Sequence, residues 1–141
     1  MTNQGRPDEL GDEARGGRTY PFAMNGFWVL AAPIADKAKL IYWALRQHCN
    51  SARGDNMAKP LRDSLAELVG LSPGKKAEDT ISKHVKALVG IGAVDVEVVR
   101  YGINNMKSRN IYTVHLAPPD DYEGLTSLEE FYKRRKDAQD S

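Results

Sequence analysis

Apolar residues recur at spacings of three and four in three stretches of the chain, and each stretch predicts an amphipathic helix. The first predicted helix begins near Asp36, an acid that is favourable in a first helical turn. Its apolar stripe is formed by Ala38, Ile41, Leu45 and Cys49. The pattern predicts that all four side chains, including the thiol of Cys49, face the core.

A second predicted helix opens at Pro60, and its apolar residues recur at Leu61, Leu65 and Leu68. We expect these three leucines to form its inner face. Gly70 follows them, where a glycine commonly ends a helix by adopting a left-handed conformation. The helix is therefore predicted to stop there.

The third predicted helix covers about Ala77–Val89, with Ile81, Val85 and Leu88 within about 60° of one another on a helical wheel. We expect this face to pack on the first two helices. Two nearby glycines, at 90 and 92, then end the helix.

The connection between the second and third helices is longer than the three or four residues of a tight turn. Residues 73–76 begin with a Pro-Gly pair, which is a strong turn signal, and no helix breaker follows from Ala77 onward. We therefore predict a loop over 73–76. Lys75 and Lys76 would then lie in this loop, ahead of the helix.

After the third helix the apolar period changes from about 3.6 to 2. Val94, Val96 and Val98 alternate with polar residues, which is typical of a half-buried strand. A second alternating run covers residues 111–116, and the polar, basic segment 102–109 between the two runs is predicted to be an exposed loop. The pattern therefore predicts a helix followed by a two-stranded hairpin.

Two segments precede the predicted helices. Residues 1–19 contain four glycines and seven charged residues, and this composition predicts a disordered tail. Residues 20–33 contain four aromatic side chains, which we expect to cap the core as a short strand or extended arm. A partner-binding surface is the alternative interpretation of that segment.

Residues 118–141 read as an acidic connector and a short helix, with Thr126 and Glu129 at the spacing of a capping box. Opposite charges spaced four residues apart should support this helix. Its apolar patch is formed by Leu128, Phe131 and Tyr132. Since a lone short helix is marginal in water, we expect this patch to dock, on a second subunit in preference to its own domain.

The composition predicts a globular chain without catalytic chemistry. Of 141 residues, 41% are apolar, enough for one domain with a core, and no run approaches the roughly 20 apolar residues of a membrane span. The single cysteine fits a reducing cytoplasm. It adjoins His48, but no third group is positioned to orient the pair, and the histidines do not cluster at metal-ligand spacing. We therefore predict no enzyme, no metal and no cofactor.

The net charge of +1 hides an uneven distribution. Residues 75–109 carry seven basic and four acidic residues, a net charge of +3, whereas residues 110–141 carry four and seven, a net charge of −3. Binding to phosphate depends on the local field within about 8 Å at physiological salt rather than on the total charge. The basic middle of the chain is therefore compatible with a nucleic-acid ligand.

The polar face of the third helix lies opposite its apolar face, which is the arrangement that a helix in the major groove of DNA requires. The candidate DNA-binding residues on or before this helix are Lys75, Lys76, Asp79, Thr80, Ser82, Lys83 and Lys86. Those on the hairpin, within about Arg100–Asn110, are Arg100, Asn104, Asn105, Lys107 and Arg109. We expect Lys83 to read guanine or pair with phosphate, and the hairpin residues to contact phosphate or the minor groove.

Four short motifs carry a resemblance to a known family: Leu65-Ala66-Glu67, Thr80-Ile81-Ser82, Lys86-Ala87-Leu88 ahead of Gly92, and Asn110 with Tyr112. With them, residues 34–117 resemble the winged helix-turn-helix domains of bacterial regulators and of plasmid- or phage-type replication proteins. The resemblance implies an α+β, mainly α, fold with a three-helix core, a β-hairpin wing and an added C-terminal helix. It also implies binding of double-stranded DNA, as a dimer or in arrays.

We therefore predict a winged helix-turn-helix domain over 20–117, between a tail at 1–19 and the connector and helix of 118–141. The predicted function is sequence-specific binding of double-stranded DNA by a homodimeric transcriptional regulator, cytoplasmic and nucleoid-associated. A replication or maintenance protein of a plasmid or phage is the alternative within DNA binding. An adaptor that binds protein through its wing or its aromatic arm is the alternative from another class.

Overall fold

The computed structural model describes residues 11–16, 18, 24–49, 61–72 and 74–140, apart from the side chains of 61 and 62. Within these ranges the chain is α+β, with five helices and one antiparallel sheet of two strands. The elements are α1 (Phe27–Ala31), α2 (Asp36–Cys49), α3 (Leu61–Leu68), α4 (Lys75–Gly90), β1 (Val94–Tyr101), β2 (Lys107–Val114) and α5 (Leu128–Asp140). None of these helices is long and apolar enough to cross a membrane.

The core lies where α2, α3 and α4 pack together, with α1 and the base of the sheet against them. The apolar faces predicted for the first and third helices are confirmed, since their aliphatic side chains are buried. Each buried isoleucine, leucine or valine contributes about 1.5–3 kcal/mol by its removal from water. The largest fully buried side chains are Trp28, Val29, Ile41, Leu45, Leu65, Ile81, Leu88 and Val94.

Gly70 ends α3 in the way that the sequence predicts. Its φ of 80° is in the left-handed region, and its N–H donates to the carbonyl of Glu67 at 3.2 Å. The N–H of Leu71 donates to the carbonyl of Ala66 at 2.8 Å. These two bonds form a Schellman motif, which satisfies carbonyls that the last turn of a helix leaves without a partner.

Two apolar positions predicted for the core are exposed. Cys49 is the last residue of α2, one turn beyond Leu45, the last apolar residue that this helix buries. Leu68 is 63% exposed, because the buried face of α3 is centred on Leu65, Ala66 and the adjoining Val69. At 100° per residue that centre turns Leu68 toward solvent.

The part of the N-terminal aromatic segment from residue 24 onward caps the core as predicted, but residues 27–31 form a helix instead of a strand or extended arm. α1 buries both Trp28 and Val29, and the Trp28 ring packs edge-on against Tyr122 with centroids 5.0 Å apart. A strand would turn two consecutive side chains to opposite faces, so a helical turn is what allows both to enter the core. Residues 20–23 of this segment, including Tyr20 and Phe22, lie outside the described residues.

β1 and β2 pair in register from their base, where Val94 lies opposite Val114. This base is buried, but Val96 is 37% exposed and Val98 is 60% exposed. Buried and exposed side chains alternate in β2, where residues 110, 112 and 114 are the more buried ones, but not in β1, where the predicted inner face is buried only at Val94. Each strand has eight residues and extends about 26 Å, so the distal half of the hairpin projects into solvent.

α5 is capped by Ser127, whose hydroxyl oxygen accepts a hydrogen bond from the Glu130 N–H at 3.1 Å. The predicted cap at Thr126 is therefore wrong by one residue. Glu130 also lies 3.9 Å from Arg134, which is one of the ion pairs expected along this helix. α5 has no buried residue, in keeping with its high content of charged side chains.

Candidate nucleic-acid interface

α4 separates an apolar face from a charged one. Its buried residues are Ala77, Ile81, Val85 and Leu88. On the opposite side, within about 80° of the helical wheel, lie Lys76, Asp79, Lys83 and Lys86. All four of these side chains are exposed, and none of the three lysines forms an ion pair within the part of the chain that the structure describes. We call these four residues the charged face of α4.

Two hydroxyl side chains beside the charged face differ in what they offer a ligand. Thr80 is half-buried, and its hydroxyl donates to the carbonyl of Lys76 at 2.9 Å. With its hydrogen engaged in the helix, Thr80 presents only acceptor lone pairs. Ser82 is exposed, so it is the better candidate to donate to a base or a phosphate.

Lys75 and Lys76 lie in the first turn of α4 and not in a loop ahead of it, which corrects the predicted placement. The helix begins two residues before Ala77, directly after Gly74. Its φ of 138° and ψ of −178° are conformations that residues with a Cβ avoid. This conformation of Gly74 lets the chain enter α4 directly at Lys75.

The two lysines also differ in their surroundings. Lys75 lines an open cleft between α3 and α4 together with three acidic residues, Asp63, Glu67 and Glu78. These carboxylates lower the positive potential around its ammonium group. Lys76 lies on the charged face of α4 and is therefore the better candidate of the pair for a phosphate contact.

The loop predicted over 102–109 is shorter in the structure. The chain reverses within residues 102–106, so Lys107 and Arg109 are in β2 and Arg100 is in β1. Basic side chains are as compatible with an exposed strand as with a loop, since both sides of the distal hairpin are open to solvent. The three basic residues therefore lie in strands that are hydrogen-bonded to each other.

The hairpin divides these basic residues between its two faces. Arg109 lies opposite Val99 and Lys107 lies opposite Tyr101, and these two pairs share one face. Arg100 lies on the other face. The three basic residues predicted to contact DNA from the hairpin are thus a pair on one face and a single arginine on the other.

The tip of the hairpin is a tight turn in the left-handed region. Asn104 and Asn105 have φ values of 56° and 54°, and the N–H of Met106 donates to the carbonyl of Ile103 at 3.2 Å. Two central residues with positive φ are the mark of a type I′ turn, which asparagine tolerates better than most residues. Gly102, with a φ of 82°, leads into it. Asn104 and Asn105 therefore shape the turn as well as exposing their amides.

The same turn exposes two apolar side chains that are not among the predicted DNA-binding residues. Ile103 is 85% exposed and Met106 is 81% exposed, more than any other large apolar side chain in the described ranges. The signal was present in the sequence, because an Asn-Asn pair between two alternating runs favours a tight turn and pushes its flanking residues to the tip.

Three donors from α1 and α2 hold consecutive carbonyls at the end of β2. Arg46 Nη1 donates to Val114 O at 2.9 Å, Tyr42 Oη to His115 O at 2.7 Å, and Trp28 Nε1 to Leu116 O at 2.8 Å. We call these three side chains the carbonyl clamp. Because it fixes three successive peptide groups, it sets the direction in which the hairpin leaves the core.

The clamp side chains are themselves held from the N-terminal side. Arg46 Nε donates to the carbonyl of Met24 at 2.9 Å, and the Tyr42 oxygen accepts from the N–H of Gly26 at 3.1 Å. Burial raises the pKa of the Tyr42 hydroxyl above its ordinary value, against smaller opposing effects of Gly26 and Arg46. The hydroxyl therefore keeps the proton that it donates.

Gly92 joins α4 directly to the hairpin. Its φ of 83° ends α4 in a second Schellman motif, with Gly92 N–H to Val89 O at 3.0 Å and Ala93 N–H to Leu88 O at 2.9 Å. A Cβ at this position would lie 2.8 Å from the ring of Pro119. Conformation and space both require glycine, and only three residues separate α4 from the hairpin.

His84 lies at the edge of α4 nearest to α2. Burial lowers the pKa of its imidazole, and the positive charges of Lys83 and Lys37 lower it further. Lys37 itself donates to the carbonyl of Val69 at 2.8 Å, which ties α2 to the C-terminal end of α3. The neutral imidazole is therefore the form that the fold favours.

The distal hairpin carries positive charge without a neighbouring acid in sequence. No acidic residue occurs between positions 97 and 120, whereas three basic residues do. Nearer the base, Asp95 is engaged by His115, with Oδ2 and Nε2 2.8 Å apart. The tip and the distal strands therefore present a positive field to a ligand.

Among the described residues, no three His, Cys, Asp or Glu side chains come together as metal ligands. Comparisons of the chain with protein-family models, curated proteins and solved structures found no match. The geometry of α4 and the hairpin is therefore the basis for inferring what the chain binds.

Proposed function

We propose that the protein binds double-stranded DNA as a winged helix-turn-helix domain and acts as a transcriptional regulator. In this proposal α3 and α4 are the helix-turn-helix, and α4 enters the major groove. The hairpin is the wing, which contacts the phosphate backbone and the adjacent minor groove. Phosphate contacts fix the register of the protein, and side chains of α4 read base edges.

The observation that carries the proposal is the division of α4 into two faces. One face is buried along the helix, and the charged face opposite it, from Lys76 to Lys86, is open to solvent. Its three lysines and one acid give it a net charge of +2. A helix that reads the major groove needs this combination of a supported back and a front of hydrogen-bonding side chains.

The charged face suggests a role for each of its members. Lys83 lies at its centre and suits the O6 and N7 acceptors of guanine. Asp79 lies one turn earlier and suits the amino group of cytosine, while Lys76 and Lys86 flank the centre and suit phosphates. On the hairpin, Lys107 and Arg109 share one face and would contact the backbone together.

The proposal includes a homodimer formed through α5. Leu128 is 55% exposed and Tyr132 is 58% exposed, and the ring of Phe131 packs edge-on against Tyr132 with centroids 5.3 Å apart. An apolar patch on a helix with no buried residue is a surface that a second subunit would cover. Dimeric DNA-binding proteins of this geometry bind half-sites about one helical turn apart.

A winged-helix adaptor that binds protein is the second candidate, and the exposed Ile103 and Met106 at the tip favour it. The absence of acidic residues from 98 to 119 favours DNA over an adaptor role, because a protein surface seldom offers the continuous negative charge that a duplex does.

The salt dependence of duplex binding tests the proposal. Affinity measured by fluorescence anisotropy should fall on a log–log plot against salt with a slope of about −0.9 for each phosphate contact. The variant Lys76→Ala should make this slope less steep by about 0.9, because one phosphate contact is lost. Lys133→Ala, on α5, is the matched control and should leave the slope unchanged. Failure of any duplex to bind at low salt would contradict DNA binding and favour the adaptor.

A further inference from the structure

The tip of the hairpin exposes more apolar surface than a phosphate-binding loop needs. Ile103 and Met106 are 85% and 81% exposed, and they occupy the two ends of the turn. The Cα atoms at the ends of a tight turn lie within about 7 Å of each other, so both exposed side chains start from the tip of the hairpin, and we call the pair the apolar projection. Contiguous exposed apolar surface of a few hundred Å² commonly marks a contact surface.

The backbone holds this projection in place. Three positive φ angles, at Gly102, Asn104 and Asn105, define the turn, and the Ile103 carbonyl accepts the hydrogen bond that closes it. A substitution of either apolar side chain leaves all of these features intact, since neither Ile103 nor Met106 has an unusual φ. The apolar projection can therefore be removed without removing the turn.

Positive charge surrounds the projection. Arg100 Nη1 reaches the carbonyl of Asn105 at 3.5 Å, which holds its guanidinium at the tip on one face of the hairpin. The stem of Lys107 lies beside Gly102 on the other side, with Cγ and Cδ 3.6 Å from the position of a glycine Cβ. An apolar centre with cationic edges matches a stacked, anionic polymer better than it matches a neutral protein groove.

The length of the hairpin fits a groove next to the one that α4 would occupy. Each eight-residue strand spans about 26 Å, and the major and minor grooves on one side of a duplex are separated by about half of its 34–36 Å turn, roughly 17 Å. Measured from the base of the hairpin beside the end of α4, the tip therefore lies far enough away to meet the minor groove. The minor groove is only about 6 Å wide, so the tip side chains would enter it ahead of the strands.

We infer that Ile103 and Met106 form an apolar wedge that inserts between base pairs from the minor groove and bends the duplex. This inference rests on the proposed function, since it assigns a task to the wing of a DNA-bound protein. Apolar side chains inserted in this way unstack a base step and kink DNA toward the major groove. Steps that unstack easily, such as TA, would then be preferred under the tip, although no side chain reads their base edges.

The test uses the full chain and a duplex enriched by selection from a random pool. Dyes at the two ends report bending by energy transfer, and 2-aminopurine placed at successive positions reports unstacking by its fluorescence. The variant is Ile103→Ser combined with Met106→Ser. Leu30→Ser is the control, because Leu30 is a 63% exposed apolar residue on α1, away from α4 and the hairpin.

Wild-type protein and Leu30→Ser should both bend the duplex and raise 2-aminopurine fluorescence at one base step. The double serine variant should bind with affinity reduced by no more than about tenfold, because the energy of inserting the wedge is largely spent on unstacking. It should lose the bend and the fluorescence signal.

If wild-type protein binds without bending or unstacking the duplex, or if the double variant retains both signals, the wedge is overturned while DNA binding stands. The tip would then be available to a protein partner. If wild-type protein binds no duplex, the proposed function itself fails. The two failures are therefore distinct.

Discussion

The three side chains of the carbonyl clamp show how single residues direct an element that they do not belong to. Arg46, Tyr42 and Trp28 bind carbonyls that are 68, 73 and 88 residues further along the chain. A buried carbonyl without its donor costs about 1–3 kcal/mol. The clamp therefore ties the direction of the hairpin to the packing of α1 and α2.

The sequence pattern could not indicate these contacts. Periodicity identifies which side of a helix is apolar, and it says nothing about which distant carbonyl a polar group meets. Arg46 is 9% exposed, although arginine on a helix is expected at the surface. Its burial is tolerated because Nε and Nη1 both find backbone acceptors.

Arg46→Met should lower the free energy of unfolding by about 1–3 kcal/mol, because Val114 and Met24 each lose the donor that Arg46 provides. Urea denaturation followed by circular dichroism measures the change. Gln47→Met is the control on the exposed side of the same helix and should change the stability by less than about 0.5 kcal/mol. Equal effects of the two substitutions would show that the clamp contributes nothing.

His84 gives the fold a dependence on pH. Because its pKa is lowered in the folded chain, the unfolded chain binds a proton first as the pH falls below the ordinary value of 6.5. The free energy of unfolding should therefore decrease with falling pH in this range, and His84→Gln should reduce that decrease. Denaturation midpoints at a series of pH values measure it. A pH profile unchanged by His84→Gln would contradict the prediction.

At the scale of elements, sequence periodicity predicted α2, α3, α4 and the hairpin, because each has enough residues to repeat its pattern. It could not predict α1, whose five residues are too few for a helical period. It also placed two boundaries wrongly, because charged residues at the start of an element have the composition of a loop. Lys75 and Lys107 begin a helix and a strand, although each was assigned to the loop before it.

The α4 part of the candidate site could be predicted from the sequence, and the hairpin part could be predicted only in outline. The charged face of α4 follows from the helical wheel alone, so Lys83 and its neighbours were identified correctly as exposed. The division of the basic hairpin residues between two faces depends on the register, which is set by the length of the turn. That length was wrong in the prediction, and the exposed Ile103 and Met106 were missed with it.

The two faces of the hairpin lead to a prediction about its contacts. Lys107→Ala combined with Arg109→Ala should weaken duplex binding to all sequences and reduce the salt slope by about 1.8, since two phosphate contacts are lost. Lys133→Ala combined with Lys136→Ala removes the same charge from α5 and is the control. A slope that changes equally in both variants would mean that the hairpin acts only through net charge.

At the scale of the molecule, basic and acidic residues are separated along the chain. Residues 75–109, which hold α4 and most of the hairpin, have a net charge of +3, and residues 110–141 have a net charge of −3. This separation would turn the helix and hairpin toward a duplex and the acidic segment away from it. It also explains how a chain of net charge +1 can be proposed to bind DNA.

The homodimer is tested best by point variants, because Pro119 and Tyr122 pack on Gly92 and Trp28, so that removing the whole C-terminal segment would also disturb the core. Leu128→Glu combined with Tyr132→Glu should convert a dimer to a monomer in light scattering. Lys136→Glu, also on α5, should leave the dimer unchanged. A monomeric wild-type protein, or a dimer that persists in the double variant, would contradict dimerisation through α5.

The central claim is that α4 reads the sequence of double-stranded DNA. Selection of bound duplexes from a random pool, with the wild-type protein and with Lys83→Ala, tests it most directly. We predict that the wild-type protein enriches one site, and that Lys83→Ala relaxes the preference at a single G·C pair by about 1–3 kcal/mol of discrimination. Recovery of random sequences by the wild-type protein at low salt, or an identical enriched site with Lys83→Ala, would contradict it.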